Sequence, residues 1–255
     1  MAERFPAHFS WFFPGCFQLL MLLLLALCEA LGAQPSDLQF QRISIEQGLS
    51  QSSVQAMVQD QTGYLWLGTQ DGLNRYDGYQ FRVYRNEPNN SASLSGNYIY
   101  ALCEDRQGNL WVGTRANGLN RFDPATGRVT RFHSDAADPA SLSHQTVRAI
   151  IEDIQGIIWV GTEGGLNRFE PASGTFRRYL SDANDPESLS DNFVQALAGD
   201  RQGRLWIGTN NGLNCFDPAT GKVTRFRHNP TDPASLSGDR IRTLRISQTG
   251  SLWLG

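Results

Sequence analysis

One short motif recurs five times along the chain, and this recurrence limits the folds that the chain can adopt. In each copy a tryptophan is followed by an apolar residue and a glycine, and four of the copies continue with a threonine. The copies stand 45, 48, 47 and 47 residues apart. Their tryptophans are Trp66, Trp111, Trp159, Trp206 and Trp253. Self-similarity at one such period is typical of solenoids and propellers, so we interpret the chain as an array of similar units.

Each unit combines the tryptophan motif with turn signals and apolar runs in the same order. An alternating apolar run leads into an Asp-x-x-Gly turn, the motif follows, and a Gly-Leu-Asn segment and a β-rich segment such as 128–132 come next. The turn aspartates are Asp60, Asp105, Asp153 and Asp200. No segment has a helical period, and four short strands in about 47 residues are typical of a propeller blade. The sequence therefore predicts an all-β fold, a β-propeller of four-stranded blades with about 4.5 blades present and an incomplete ring.

The apolar pattern of the first strand supports packing of one blade against the next. In every unit a bulky residue such as Leu102 or Leu197 follows a small one such as Ala101 or Ala196. A blade is covered on both faces by its neighbours, so both faces of its strands are apolar. We expect each tryptophan to lie between two blades, with its ring N–H requiring one hydrogen-bond acceptor.

Residues 1–33 have the features of a secretory signal peptide. Arg4 is the only Lys or Arg before Arg42, and the apolar run 19–27 that follows it is too short to span a bilayer comfortably. Small residues suited to cleavage come next, at Ala30, Gly32 and Ala33. An uncleaved N-terminal anchor over 9–31 is the alternative. In both cases we expect the partial propeller, residues 34–255, to be exported.

The charge balance and the cysteine count exclude several function classes. The chain has 22 Lys and Arg against 25 Asp and Glu, so it has no strong basic field with which to bind nucleic acid. After the leader it contains two cysteines, Cys103 and Cys215, which stand at different points of their units and form no Cys-x-x-Cys pair. We expect neither a disulfide nor a metal site from them.

The histidines of the predicted propeller do not form a catalytic group in the sequence. His133, His144 and His228 lie in connections between fourth and first strands, and none is paired with carboxylates at a spacing that would hold a metal. We therefore predict no catalytic residue, no metal, no cofactor and no enzymatic activity of this chain itself.

The complete repeat resembles a known family. Its parts in the first unit are Gly48-Leu-Ser50, the turn Asp60-x-x-Gly63, and the stretch 65–78 with Trp-Leu-Gly-Thr and Gly-Leu-Asn-Arg-Tyr-Asp-Gly. Together they resemble the two-component regulator propeller repeat. The resemblance covers about residues 38–255, and the motif recurs with all its parts in register.

The resemblance implies a function as well as a fold. Members of this family form the extracytoplasmic sensor region of bacterial membrane receptors whose cytoplasmic output is a histidine kinase, often a hybrid kinase, or a GGDEF diguanylate cyclase. It implies a periplasmic location, contact with the membrane only through the parent receptor or an uncleaved leader, and homodimer formation in that receptor. Family members usually carry more blades, often in two rings, followed by a β-sandwich, a membrane helix and the output domain.

Both ends of the chain predict an N-terminal fragment of such a receptor. The sequence stops at Gly255, inside the fifth tryptophan motif. Residues 38–44 resemble a fourth strand that would close the ring against the last blade. The first copy departs from the repeat at 77–80, and the fifth departs at Ser247, where the other units carry the turn aspartate.

The turns between second and third strands are the predicted ligand site. These turns and the long Ser-Leu-Ser connections lie at one end of the blades, and the two kinds of aspartate turn lie at the other. Polar residues that differ between units occupy the first set, and variation on a repeated scaffold is typical of a binding surface. They are Gln70, Asp71, Arg115, Asn117, Glu163, Asn210 and Asn211. We predict that they bind an unknown small molecule or oligosaccharide, with Arg115 and Glu163 as the first residues to substitute.

Two other functions remain open from the sequence. A secreted carbohydrate-binding propeller shares the fold, and it would place aromatic residues in the variable loops, where this sequence has mostly Asn, Asp and Arg. A propeller lyase is a weaker alternative, because it requires a histidine and usually a metal at the mouth of the ring.

Overall fold

The computed structural model describes residue 40 and residues 42–255. The signal peptide or anchor predicted over residues 1–33 lies outside the described residues. Within them the single helix is a short 3-10 turn, Ile45–Gln47. No helix of the described part is long and apolar enough to cross a membrane.

The rest of the described chain forms four four-stranded sheets and one two-stranded sheet, all antiparallel. Blade 1 comprises β1 (Val54–Gln59), β2 (Leu65–Thr69), β3 (Gly72–Tyr76) and β4 (Phe81–Tyr84). Blade 2 comprises β5 (Ile99–Glu104), β6 (Leu110–Thr114), β7 (Leu119–Phe122) and β8 (Val129–Phe132). Blade 3 comprises β9 (Val147–Glu152), β10 (Ile158–Thr162), β11 (Gly165–Glu170) and β12 (Thr175–Tyr179). Blade 4 comprises β13 (Val194–Gly199), β14 (Leu205–Thr209), β15 (Gly212–Asp217) and β16 (Lys222–Phe226), and blade 5 comprises β17 (Leu244–Ile246) and β18 (Leu252–Leu254).

Strands follow one another in each blade in chain order, so each is hydrogen-bonded to the next along the sequence. This is the blade architecture that the repeat predicts, and the all-β propeller assignment is confirmed.

The strand that we predicted over 38–44 is absent from residues 42–44. Instead, Ser44 caps the 3-10 turn, where its backbone N–H donates to the Gln47 side chain at 2.8 Å. The remainder of that stretch, apart from Phe40, lies outside the described residues.

The Asp-x-x-Gly sequence makes the tight turn between first and second strands. In blade 1 the carboxylate of Asp60 accepts hydrogen bonds from the backbone N–H groups of Thr62 and Tyr64, at 3.0 and 2.9 Å. Gly63 has a φ of 94°, in the left-handed region that L side chains rarely adopt. The aspartate therefore holds the turn together while the glycine supplies its backbone conformation.

The glycine of the tryptophan motif is required for blade packing. A Cβ added to Gly113 would lie 2.5 Å from a methyl group of Val147, the first residue of the next blade. Gly68 and Gly161 meet Ile99 and Val194 in the same way. Each second strand therefore receives a β-branched side chain from the neighbouring blade at a position where only glycine leaves room.

Three of the five repeat tryptophans lie between blades, as predicted. Trp66, Trp111 and Trp159 are almost fully buried. The Trp111 ring packs edge-to-face on Phe169 of the next blade with ring centroids 4.9 Å apart, an arrangement that aromatic pairs favour. Trp253 in the two-stranded blade 5 is 67% exposed, since no further described strand covers it.

Candidate functional site

The two ends of each blade carry different residues. One end, which we call the uniform end, carries the Asp-x-x-Gly turns between first and second strands. It also carries the turns between third and fourth strands. The variable end carries the turns between second and third strands and the start of each first strand. Because the strands alternate in direction, every blade contributes to both ends.

The uniform end contains one hydrogen bond that is repeated in four blades. The second oxygen of each turn aspartate accepts the indole N–H of the tryptophan six residues later. The pairs are Asp60–Trp66 at 2.7 Å, Asp105–Trp111 at 2.8 Å, Asp153–Trp159 at 2.8 Å and Asp200–Trp206 at 3.1 Å. This carboxylate is the acceptor that each ring N–H requires. In blade 5, Ser247 stands where the other blades have the aspartate.

The hydrogen bonds at the uniform end affect the acidity of its carboxylates. Burial raises the pKa of Asp60, but bonds from Thr62, Trp66 and the turn backbone outweigh it and hold that pKa below its ordinary value. The same balance lowers the pKa of Asp200, where Arg204 adds an ion pair with Nε to carboxylate at 2.7 Å. These aspartates are therefore structural, because all their capacity is used within the turn and the tryptophan contact.

A second repeated network fixes the start of each blade at the variable end. In blade 1 the fully buried Asn74 accepts the backbone N–H of Ser50 at 2.9 Å and donates to the Ser50 hydroxyl at 2.8 Å. That hydroxyl lies 2.9 Å from the Thr69 hydroxyl, which donates to Gly72. Blades 3 and 4 repeat the arrangement. The Gly-Leu-Asn, Ser-Leu-Ser and motif threonine residues therefore connect a blade to its own preceding loop.

In blades 2 to 4 an arginine in the fourth strand forms hydrogen bonds with the loop that precedes the blade. The guanidinium group of Arg178 donates to the backbone oxygens of Ser141 and Asp138 at 2.8 and 2.7 Å. Arg131 and Arg225 do the same in their blades. The sequence interpretation missed these residues, although a recurring Arg before the strand's terminal aromatic was visible in three units.

The predicted ligand residues lie at the variable end, but the structure separates them into two groups. Asp71 is neutralised by an ion pair with Arg85 at 2.9 Å, and the Asn210 side chain accepts a hydrogen bond from Gln195 at 2.9 Å. The side chains of Gln70, Asn117 and Asn211 are on the exposed turns. Arg115 and Glu163 belong to one neighbourhood, since Thr146 donates its hydroxyl to the backbone oxygen of Arg115 and its own backbone oxygen accepts the N–H of Glu163.

The neighbourhood of Arg115 and Glu163 contains aromatic rings that the sequence interpretation did not assign to it. The Cζ atom of Arg115 lies 5.2 Å from the ring centroid of Tyr98, and Tyr98 packs edge-to-face on Tyr100 at 4.9 Å. We call the six residues the aromatic–arginine cluster, and they are Tyr98, Tyr100, Arg115, Arg148, Glu163 and Phe193.

Arg148 is at the centre of the cluster. Its Cζ atom lies 4.4 Å from the ring of Tyr100 and 5.3 Å from the ring of Phe193, which belong to the blades on either side. Its Nε donates to a carboxylate oxygen of Glu163 at 2.9 Å, and Nη2 contacts the same oxygen. The two cation–π contacts of Arg148 thus join blade 3 to blades 2 and 4 at the variable end, whereas its ion pair with Glu163 lies within blade 3.

The cysteines and histidines stand outside this cluster. Cys103 and Cys215 are free thiols, and burial raises the pKa of Cys103 to about 11. His144 accepts the N–H of Thr146 through Nδ1 at 3.1 Å, and Nδ1 of His228 lies 2.6 Å from the backbone oxygen of Leu236. Within the described residues, no three His, Cys, Asp or Glu side chains are grouped so that they could hold a metal ion.

Known proteins share the repeat sequence and the fold with this chain. The family model "two component regulator propeller" matches residues 48–71, 93–116, 141–164 and 188–211. Histidine kinase P4 from Formosa agariphila is 46% identical over 81 residues, which are 32% of this chain and 6% of that protein.

Solved structures include two extracellular domains from B. thetaiotaomicron. That of BT4673, described as a one-component system, is 25% identical with a TM-score of 0.65, covering 87% of this chain and 27% of that one. That of BT3049, described as a hybrid two-component system, is 25% identical with a TM-score of 0.55, covering 84% of this chain and 40% of that one.

Virginiamycin B lyase from Staphylococcus aureus shares the fold alone, at 14% identity and a TM-score of 0.58 over 86% of this chain and 74% of the lyase. The chain spans less than half of the length of the histidine kinase and of each of the two extracellular domains. The four matched segments each include a Ser-Leu-Ser or Gly-Leu-Ser segment, an aspartate turn and a tryptophan motif, which are the parts of the repeat that the structure connects by hydrogen bonds. The chain therefore contains four repeats of the two-component regulator propeller type.

Proposed function

We propose that this propeller is the extracytoplasmic sensor region of a bacterial transmembrane receptor of the two-component type. The observation that carries the proposal is the match of four repeats to the two-component regulator propeller, together with the likeness to extracellular domains of such systems. The leader predicted over residues 1–33 agrees with export to the periplasm. In this role the propeller has no chemistry of its own and transmits ligand binding to an output domain.

The similarity to a histidine kinase supports a kinase output and a phosphorelay in the parent receptor. A diguanylate cyclase output, which the family resemblance also implies, is the alternative. The ligand would bind at the variable end, because the exposed polar residues of its turns differ between blades. We propose an oligosaccharide or another small polar molecule as the ligand class.

A secreted carbohydrate-binding propeller is a second candidate function. The sequence argued against it because the variable loops contain few aromatic residues. The structure supplies the observation that favours it, since Tyr98, Tyr100 and Phe193 lie beside those loops at the variable end. Both candidates use the same surface, and they differ in whether the propeller is attached to a membrane receptor.

Export of the chain is the direct test of both candidates. The full chain is joined at its C-terminus to alkaline phosphatase, which is active only outside the cytoplasm, and in parallel to β-galactosidase, which is active only inside it. We expect phosphatase activity without galactosidase activity. The reverse pattern would exclude an extracytoplasmic sensor and a secreted lectin together. A matched control lacks residues 1–33 and should lose the phosphatase activity.

A further inference from the structure

We propose that the aromatic–arginine cluster binds an anionic saccharide, with its carboxylate or sulfate group on Arg115, and that Arg148 neutralises Glu163 rather than binds the acid group. This inference rests on the proposed function, since it identifies the ligand class of the same variable end. It assigns different roles to Arg115 and Glu163, which the sequence analysis treated alike.

Arg115 is available to a ligand. Its side chain is exposed and has no ion pair or hydrogen bond with any of the described residues, while its backbone N–H is bonded to Tyr98 at 2.9 Å. The ring of Tyr98 lies against the guanidinium group and limits its freedom. A guanidinium group presented in this way keeps its N–H donors free, and its fork matches two oxygens of a carboxylate or sulfate. The structure therefore offers a pre-positioned cation without a counter-ion.

Glu163 does not repel an anion at this place, because Arg148 neutralises it. The two side chains of the pair are about a quarter exposed, at 28% and 24%, and the rings of Tyr100 and Phe193 hold the guanidinium group. A charge held between two rings and a carboxylate is already compensated. Arg148 and Glu163 therefore form a charge-balanced pair beside the proposed ligand position.

Neutral polar groups lie at the same end of the blades as the free cation and suit a polyhydroxylated ligand. The hydroxyl groups of Tyr98 and Tyr100 have no protein partner within the described part of the chain, and neither has the side-chain amide of Asn117. Gln195 and Asn210 lie in the next-but-one blade and are bonded to each other. Hydroxyl and amide groups beside aromatic faces can pair with the hydroxyl groups and apolar faces of a sugar ring.

The test is calorimetric titration of the full chain with three probes: trigalacturonate, a sulfated galactose disaccharide and neutral maltotriose. The first two distinguish the carboxylate from the sulfate as the recognised group. We expect at least one acidic probe to bind, more weakly as salt is added, and to bind better than maltotriose. Arg115→Gln should weaken acidic-probe binding about 10- to 100-fold, the loss expected for hydrogen bonds to a charged group.

Two variants separate the charge-balanced pair from the binding arginine. Glu163→Gln removes a negative charge and leaves Arg148 uncompensated, so it should leave acidic-probe binding unchanged or tighten it by up to about fivefold. Arg148→Gln leaves Glu163 uncompensated and should weaken binding. The matched control is Arg128→Gln, which changes an exposed arginine at the uniform end of the blade that contains Arg115, and it should have no effect.

Several results would overturn the inference. Equal losses from Glu163→Gln and Arg115→Gln would show that both bind the ligand. Tighter binding of maltotriose than of both acidic probes would refute the acid-group assignment while leaving the proposed sensor function intact. The absence of binding to all three probes at millimolar concentration would refute the saccharide class, whereas failure of the export assay alone would refute the sensor function.

Discussion

The uniform and variable ends of the blades are built from the same strands, yet they differ in which residues and contacts repeat from blade to blade. At the uniform end four blades repeat one aspartate–tryptophan hydrogen bond. At the variable end the second residue of each first strand holds a different side chain in successive blades. These side chains are Gln55, Tyr100, Arg148 and Gln195. Both ends contain repeated hydrogen bonds, and the variable end also carries exposed polar side chains that change from blade to blade.

The largest expected effect breaks the interface between two blades. Trp111→Ala removes a fully buried ring that packs on Phe132 and Phe169, so it should lower the free energy of unfolding by about 3–5 kcal/mol. The control is Trp253→Ala, at a position 67% exposed, which should change it by less than about 1 kcal/mol. Urea denaturation of the full chain measures both. Similar losses from the two variants would contradict the assignment of the tryptophans as wedges between blades.

A smaller effect follows from removing the repeated hydrogen bond. Asp105→Ala leaves the buried indole N–H of Trp111 and the turn N–H groups of Gln107 and Asn109 without an acceptor. We expect a loss of about 1–3 kcal/mol in the free energy of unfolding, the cost of unsatisfied buried donors. Denaturation with urea is again the measurement. A loss below about 0.5 kcal/mol would mean that the uniform end does not supply the stability that we attribute to it.

The uniform end should also respond to acid. The folded-state pKa values of Asp60 and Asp200 lie below the ordinary value of 3.8, so their contribution to stability is complete above that pH and is lost as the pH falls through the lower folded-state values. We expect the free energy of unfolding to decrease as the pH is lowered below about 4, and to decrease less in Asp200→Asn. Identical acid slopes in the two proteins would exclude Asp200 as a contributor.

The smallest effect on stability belongs to the variable end. Arg115→Gln should change the free energy of unfolding by less than about 0.5 kcal/mol, because the side chain is exposed and bonded to no described residue. Thermal denaturation in the absence of ligand is sufficient to test this. A loss comparable to that of Asp105→Ala would give Arg115 a structural role and remove the contrast between the two ends.

The fold was predictable from the sequence because every unit repeats the same turn chemistry in register. Asp60 and Gly63, for example, specify a turn by local hydrogen bonding and a positive φ, with no need for distant partners. The candidate turns were predictable for the same reason. The aromatic–arginine cluster was not, because Tyr100 and Arg148 are 48 residues apart and meet only when adjacent blades pack. The strand predicted over 38–44 is absent at residues 42–44, because Ser44 is extended but has no described strand to pair with.

Hydrogen–deuterium exchange of the full chain, with and without an acidic saccharide probe, tests the contrast between the two ends most directly. We predict slower exchange on ligand addition at 97–100, 115–118 and 145–148 of the variable end, and unchanged exchange at the aspartate turns 60–63, 105–108 and 153–156. Protection confined to the aspartate turns, or equal protection at both ends, would contradict the account that the variable end binds the ligand.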